Sequence, residues 1–354
     1  MRRGTAIASV ALALLTAGAA AAGATASKSS KAPTATNGKP VQLVASGLMV
    51  PTSFAFGDDA VFEGDGGNSS KVPNGGLYVL SGGKATKVST TPKLIFVGGL
   101  QFHNDALYVS GATLGAKGPQ FQILTFKNWN GTTFTSQKVI YTAPSKFQGF
   151  NGLGFGANGR LYVGVDTGLL NNNDHGPAST SPYLYDILSM SATGGQPDVF
   201  ASGIRQPWQM AFPSGSDSPF VSDFGQDSAA KNPPDFLLRV TAGQNYGFPE
   251  CNWTSATACA GYAKPFKTFA PHTDVGGVAI VGDNLYLSEF GFAAPLRPPG
   301  VVSLPLSGGG SPTTLVRLPQ EAVIVGLAAN GDYLYFGIKT KAGGGMAYRV
   351  QVSP

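Results

Sequence analysis

The stretch Gly149–Asp166, GFNGLGFGANGRLYVGVD, decides how this chain folds. A glycine-rich lead-in runs into small and apolar residues, then a Gly-Ala-Asn-Gly turn, then Leu-Tyr-Val. The turn residues tolerate the positive φ that a tight hairpin needs, so the stretch reads as two antiparallel strands. Five other stretches carry the same pattern: VPTSFAFGDDAVFEGD (Val50–Asp65), VGGLQFHNDALYVSG (Val97–Gly111), QPWQMAFPSGSDSPFVSD (Gln206–Asp223), VGGVAIVGDNLYLSE (Val275–Glu289) and IVGLAANGDYLYFGI (Ile324–Ile338). More polar strands follow, among them LYDILSMS, DFLLRVTA, GVVSLPLSG and MAYRVQV.

A repeat of roughly 50 residues means a solenoid, a propeller or an array. Four short antiparallel strands per repeat point to β-propeller blades. A sandwich has no reason to repeat one inner-strand motif six times. The expected fold is therefore all-β: a six-bladed β-propeller of four-stranded antiparallel blades, in one domain spanning residues 41–354. VQLVAS (Val41–Ser46) stands outside the first repeat and alternates, so it is expected to pair with the last strand, AYRVQV, and close the ring. In such a ring the residues just before each inner strand converge on one face: Val50–Ser53, Gln148–Gly152, Arg205–Trp208 and His272–Gly276.

Composition agrees with a turn-rich β protein. Charged residues are 12% of the 354, about half the usual share, while 42% are hydrophobic and 10% aromatic, enough for a core. The net charge of +5 is scattered without a basic block, which argues against a nucleic-acid partner. MRRGTAIASVALALLTAGAAAAGATA (Met1–Ala26) has a basic start, an apolar centre and an Ala24-Thr25-Ala26 cleavage signal. Its apolar part is too short for an anchor, so the expectation is a cleaved signal peptide, a secreted or periplasmic protein and no stable membrane insertion. Ser27–Pro40, rich in Ser, Lys, Thr and Pro, reads as a disordered leader. Export makes a Cys251–Cys259 disulfide the expected state of the two cysteines.

Several segments taken in order resemble the secreted glucose/sorbosone dehydrogenases. FASGIRQPWQMAF (Phe200–Phe212) resembles that family's Ala-x-Gly-Leu-Arg-Asn-Pro-x-Gly-x-Ala-Phe segment, and VSDFGQD (Val221–Asp227) its strand end and calcium loop. PPDFLLRVTAGQNYGFPEC, NGLGFGANGRLYVGV and PHTDVGGVAI are similar to three further runs. The resemblance implies a six-bladed propeller that uses pyrroloquinoline quinone and calcium. It would oxidise a sugar or alcohol carbinol by hydride transfer and pass electrons to an acceptor the sequence does not identify. It implies that Arg205 touches the quinone and the developing alkoxide, as an always-charged planar cation can. Gln206, Gln226, Asp227 and Thr273 would line the cofactor, and Gly225 and Gln226 would offer calcium carbonyl oxygens, with Asp223 beside them.

The departures bear on chemistry. The family's catalytic histidine stands five residues before the leucine of the third repeat; here that leucine is Leu153 and the position is Gln148. A glutamine amide cannot serve as a general base near neutral pH. Asp166 comes one place earlier than the carboxylate that orients the base. Glu321 stands near a usual arginine, and Glu289 and Phe290 stand near a lysine. Among the three histidines, His272 and His175 are the replacement bases to consider, and His103 reads as a turn residue. Asp274 adds a possible anionic lining group. Trp208 could stack on a flat ligand but reads better as packing.

Three functions remain open at this level: a quinone-dependent dehydrogenase acting through Arg205, Gln148, His272 and Asp166; a propeller binding module that lost the base; and a calcium-dependent lactonase-like hydrolase. The last would need several carboxylates around a central metal, and the lead-in loops offer Gln, Asn and Arg instead.

Overall fold

The computed structural model describes residues 32–67, 74–116, 118–167, 181–226, 233–255, 257–290, 298–319, 322–341 and 343–352. The expected signal peptide, His175, Asp227 and Glu321 lie outside them. The described residues form 25 strands and no helix. In chain order these are β1 (Thr34–Ala35) and β2 (Gln42–Leu48), then β3 (Pro51–Gly57), β4 (Ala60–Asp65), β5 (Gly76–Ser81) and β6 (Gly83–Lys87). Next come β7 (Leu94–His103), β8 (Ala106–Gly115), β9 (Gly118–Trp129) and β10 (Phe134–Thr142), and β11 (Phe150–Phe155), β12 (Leu161–Val165), β13 (Ile187–Met190) and β14 (Asp198–Ala201). They are followed by β15 (Pro207–Ala211), β16 (Phe220–Asp223), β17 (Asp235–Arg239) and β18 (Lys267–Phe269). The chain ends with β19 (Val275–Val281), β20 (Asn284–Glu289), β21 (Gly300–Pro305), β22 (Thr313–Arg317), β23 (Ala322–Asn330), β24 (Tyr333–Thr340) and β25 (Gly345–Gln351).

Three antiparallel sheets are four-stranded and follow chain order: β7–β10, β11–β14 and β15–β18. A fourth, β19–β22, gains β1 on its outer edge. The first and last repeats, expected as separate sheets, form one eight-stranded sheet in the order β23-β24-β25-β2-β6-β5-β4-β3. The join is β2, which pairs antiparallel with β25 (Gln42↔Arg349) and parallel with β6 (Ala45↔Gly83). Part of the expected leader is also ordered: Thr34 pairs with Arg317 and Ala35 with Val316. The open edge of β22 offers backbone groups that an extended segment satisfies.

The strand that opens each repeat sits at a sheet edge and touches its counterpart in the next repeat. The contacts run β3–β7, β7–β11, β11–β15, β15–β19 and β19–β23, and return from β23 to β3. These inner strands surround a common axis. Glycine permits the closeness: a Cβ on Gly326 of β23 would come within 2.6 Å of the Thr52 carbonyl of β3. The inner strands start at what we term the upper face and end at the hairpin face. There, tight turns place Asp58, Asp59, Asn104 and Asp105 at φ of 52°, 56°, 47° and 57°, as two-residue hairpins require.

Alternation along each strand sends apolar side chains between neighbouring sheets. Phe62 of β4, fully buried, packs on Phe102, Trp129 and Phe134 of the next sheet with ring centroids 5.0–5.7 Å apart. Each such side chain contributes about 1.5–3 kcal/mol by leaving water. Cys251 and Cys259 are disulfide-bonded.

Candidate functional site

The upper face at the fourth repeat gathers most of the expected residues. Its lead-in loop is held from two sides. Ile204 donates its amide to the Tyr185 carbonyl, and the Asn245-Tyr246-Gly247 run docks on Ser202 and Gly203 through Tyr246 N–H to Ser202 O (2.9 Å) and Phe248 N–H to Gly203 O (3.0 Å). Gly203 sits at φ +70° against Asn245, where a side chain would collide.

These anchors turn Arg205 inward. Only 3% of it is exposed, and its Nη1 donates to the carbonyls of Phe224 (2.8 Å) and Gly225 (2.6 Å). Asp223, 4% exposed, accepts the Gln206 amide at 2.7 Å. Burial pushes its carboxyl up to about 6, opposed by the Gln206 amide and the Arg205 charge. Asp235 of β17 accepts the Gly225 amide at 2.6 Å and the Asp274 amide at 2.8 Å. One carboxylate thus ties the exit loop of this repeat to the lead-in loop of the next. The first repeat uses the same device, with Asp65 accepting the amides of Met49 (2.7 Å), Val50 (3.2 Å) and Gly67 (2.6 Å).

The remaining expected residues are more dispersed. Gln148 is half-buried and donates to the Lys146 carbonyl at 3.0 Å. Asp166 is 1% exposed at the end of β12, its amide bonded to the Gly149 carbonyl. His272 and Asp274 hold left-handed conformations at φ of 60° and 52°, and the Thr273 hydroxyl donates to the Ala270 carbonyl at 2.7 Å.

Among the described residues, the Gly225 carbonyl is not open to the expected calcium. The Gly225 carbonyl assigned to calcium already accepts from a guanidinium, and a divalent cation there would face that positive charge at contact range. No cluster of three His, Cys, Asp or Glu suited to a metal occurs among the described residues. The space beside Arg205, lined by Asp223, Phe224, Gln226, Phe248 and Trp253, is about 10 Å³, room for one water. A small-molecule site needs roughly 300 Å³ or more. Apolar side chains meet near this level. Trp208 stacks on Phe224 with centroids 5.5 Å apart, and Val50, Phe290 and Val325 complete a buried apolar cluster with them. Arg205 lines this small space with its guanidinium bonded to the Phe224 and Gly225 carbonyls of the expected calcium loop.

Below that cluster lies Gln209, which the sequence reading passed over. The resemblance has glycine at this place in Pro-x-Gly-x-Ala-Phe, so the departure was visible. The Gln209 side chain is 6% exposed and crosses the axis: Nε2 donates to the Thr52 carbonyl of β3 at 2.5 Å, and Oε1 accepts from Leu327 N–H of β23 at 3.4 Å. Gln209→Ala is expected to cost about 1–3 kcal/mol in urea denaturation, because a buried carbonyl and amide lose their partner. Asp186 was also missed. Burial alone pushes its carboxyl up to about 7, beside the Tyr183 and Tyr185 left-handed turns at φ 60° and 69°.

Solved structures of several sugar oxidoreductases share this all-β arrangement of antiparallel sheets. An oxidoreductase assigned as a glucose dehydrogenase from Thermus thermophilus matches with a TM-score of 0.67 at 19% identity, over 88% of this chain and 100% of that one. A Trichoderma reesei enzyme of carbohydrate-active family AA12 matches at 0.69 and 17% identity, over 94% of this chain and 100% of that one. The quinone domain of pyranose dehydrogenase from Coprinopsis cinerea matches at 0.61 and 13% identity, over 92% and 98%. Gluconolactonases share the fold more distantly, at 0.52 and 0.50. No protein-family model and no curated protein matches the chain in sequence.

Proposed function

We propose that this chain is an exported six-bladed β-propeller of the glucose/sorbosone dehydrogenase type whose quinone site has closed, so that it binds a ligand and does not oxidise one. The unbroken circuit of inner-strand contacts and the β2–β25 pairing support the six blades and their closure by the N-terminal strand. The observation that carries the functional reading is Arg205 bonded to the Gly225 carbonyl. The cation that would meet the quinone instead replaces the metal, and the Trp208 cluster takes up the space above the axis. Gln148 at the place of the base agrees with lost proton transfer.

One observation favours the dehydrogenase reading. Gln206 Oε1 and Gln226 Nε2 are buried without partners, and both residues are ones the resemblance gives to the cofactor. Buried polar atoms without partners are uncommon and ask for a ligand or a water. The hydrolase reading has no such support, because Asp65, Asp223 and Asp235 are engaged with backbone amides.

Reconstitution decides between the first two. Purified protein mixed with calcium and pyrroloquinoline quinone is expected to show no change in the quinone absorption spectrum, no rise in melting temperature and no dye reduction with glucose or other sugars. Sugar-dependent dye reduction would overturn the reading in favour of the dehydrogenase.

A further inference from the structure

A much larger space lies at the other end of the axis. A cavity of about 460 Å³ opens beneath Gln209 toward the hairpin face, within the range of small-molecule sites. The second halves of all six inner strands wall it, and Gln209 closes its inner end. Each inner strand is the last of its sheet and pairs on one side only. Its other edge is met at the level of Gln209 by that side chain, at the Thr52 carbonyl and Leu327 N–H, and further along the cavity wall its N–H and C=O groups need partners from solvent or a ligand. The Ser53 hydroxyl in the same wall is also buried and unpartnered.

Rings gather around the opening. Phe56, Phe155 and Phe212 line it, and His103 stacks on Phe155 at 3.9 Å with planes 6° apart. No Asp, Glu, Lys or Arg occurs among the lining residues. Burial lowers the affinity of His103 for a proton, so the wall stays uncharged at neutral pH. An ion entering here would leave water without a counter-charge.

We propose that this cavity binds a small, uncharged, hydroxyl-rich ligand of mono- or disaccharide size. Its hydroxyls would pair with the free strand edges and its apolar face would rest on the Phe155 and Phe212 rings. A neutral aromatic would satisfy the rings but leave the strand edges unpaired, which favours the polyol. The site is independent of the closed quinone site: quinone turnover would overturn that reading and leave this one standing.

Ligand-observed saturation-transfer NMR on the full mature chain, without quinone, tests it. Glucose and maltose are the neutral probes, gluconate and glucosamine the charged ones, and indole the aromatic one. Saturation transfer to the neutral sugars is expected, with affinity for the charged pair at least about tenfold weaker. Phe155→Ala and Phe212→Ala together should weaken sugar binding about tenfold, while Phe212→Tyr, which keeps the ring, retains it and separates ring loss from misfolding. Lys138→Ala, exposed on β10, should leave it unchanged. No transfer to either neutral sugar, equal binding of the charged probes, preference for indole, undiminished binding by the double variant or loss in Lys138→Ala would each overturn the proposal.

Discussion

Asp235→Ala is expected to destabilise the protein by about 3–5 kcal/mol, the largest effect of any single change at the upper face. The carboxylate accepts two buried amides, from Gly225 and Asp274, and is itself 1% exposed. Charge-assisted bonds of this kind contribute about 1.5–3 kcal/mol each, and their loss strands both donors away from water. Asp235→Asn keeps one acceptor oxygen and should lose about half as much. Urea denaturation measures both. A loss below about 1 kcal/mol for the alanine variant would show that the two loops are held by other contacts. The change should also loosen Gly225 from Arg205, because the Gly225 amide and carbonyl are fixed by Asp235 and Arg205 in turn.

Glu63→Met is expected to stabilise the protein, and by more as pH rises. Glu63 of β4 has no exposed surface, and its carboxyl oxygens make no well-formed hydrogen bond, with only a weak approach from the Thr52 amide. Burial pushes its carboxyl well above the usual range, the Asp65 charge pushes it further, and only the Thr52 amide opposes them. Asp65 is raised as well, by burial. The folded chain therefore holds protons that the unfolded chain releases above about pH 4. Folding takes up protons, so stability is full below the unfolded carboxyl range and falls as pH climbs toward the raised folded values. Methionine fills a similar volume and carries no proton to lose. The variant should match the wild type near pH 4 and gain about 1–3 kcal/mol at pH 7.5 in urea titrations. Parallel pH profiles for the two proteins would contradict this account.

The inner-strand pattern could be read from the sequence because every copy answers the same demand. Residues such as Gly99, Gly152, Gly277 and Gly326 must be small where neighbouring strands meet, and the hairpin turns must carry Gly, Asn or Asp. The pairing of β2 with β25 was foreseeable from the spare alternating segment at Val41–Ser46. Its second pairing, with β6, was not, since nothing in Ala45 or Gly83 marks a parallel partner. Thr34–Ala35 escaped for a similar reason: a polar segment finds a strand edge through its backbone.

The site was harder to read. Arg205 stood out as a rare cation near a proline, but it bonds to the Phe224 and Gly225 backbone carbonyls, which no residue type announces. Asp235 and Asp65 act on backbone amides and are equally silent in the sequence. Gln209 did carry a signal, a large residue where the resemblance has glycine. Its meaning depended on Thr52 and Leu327 standing across the axis, which only the closed arrangement of strands brings within reach.

The pairing of β2 with β25 also shapes how the chain reaches its final state. Gln42 and Arg349, 307 residues apart, bond across it. No nascent chain can make this pair until its last strand is free. Until then both β2 and β24 present open edges, the surface through which β proteins recruit one another into aggregates. Loss of only the last ten or so residues would leave that interval permanent, and the shortened chain would be prone to associate rather than merely less stable.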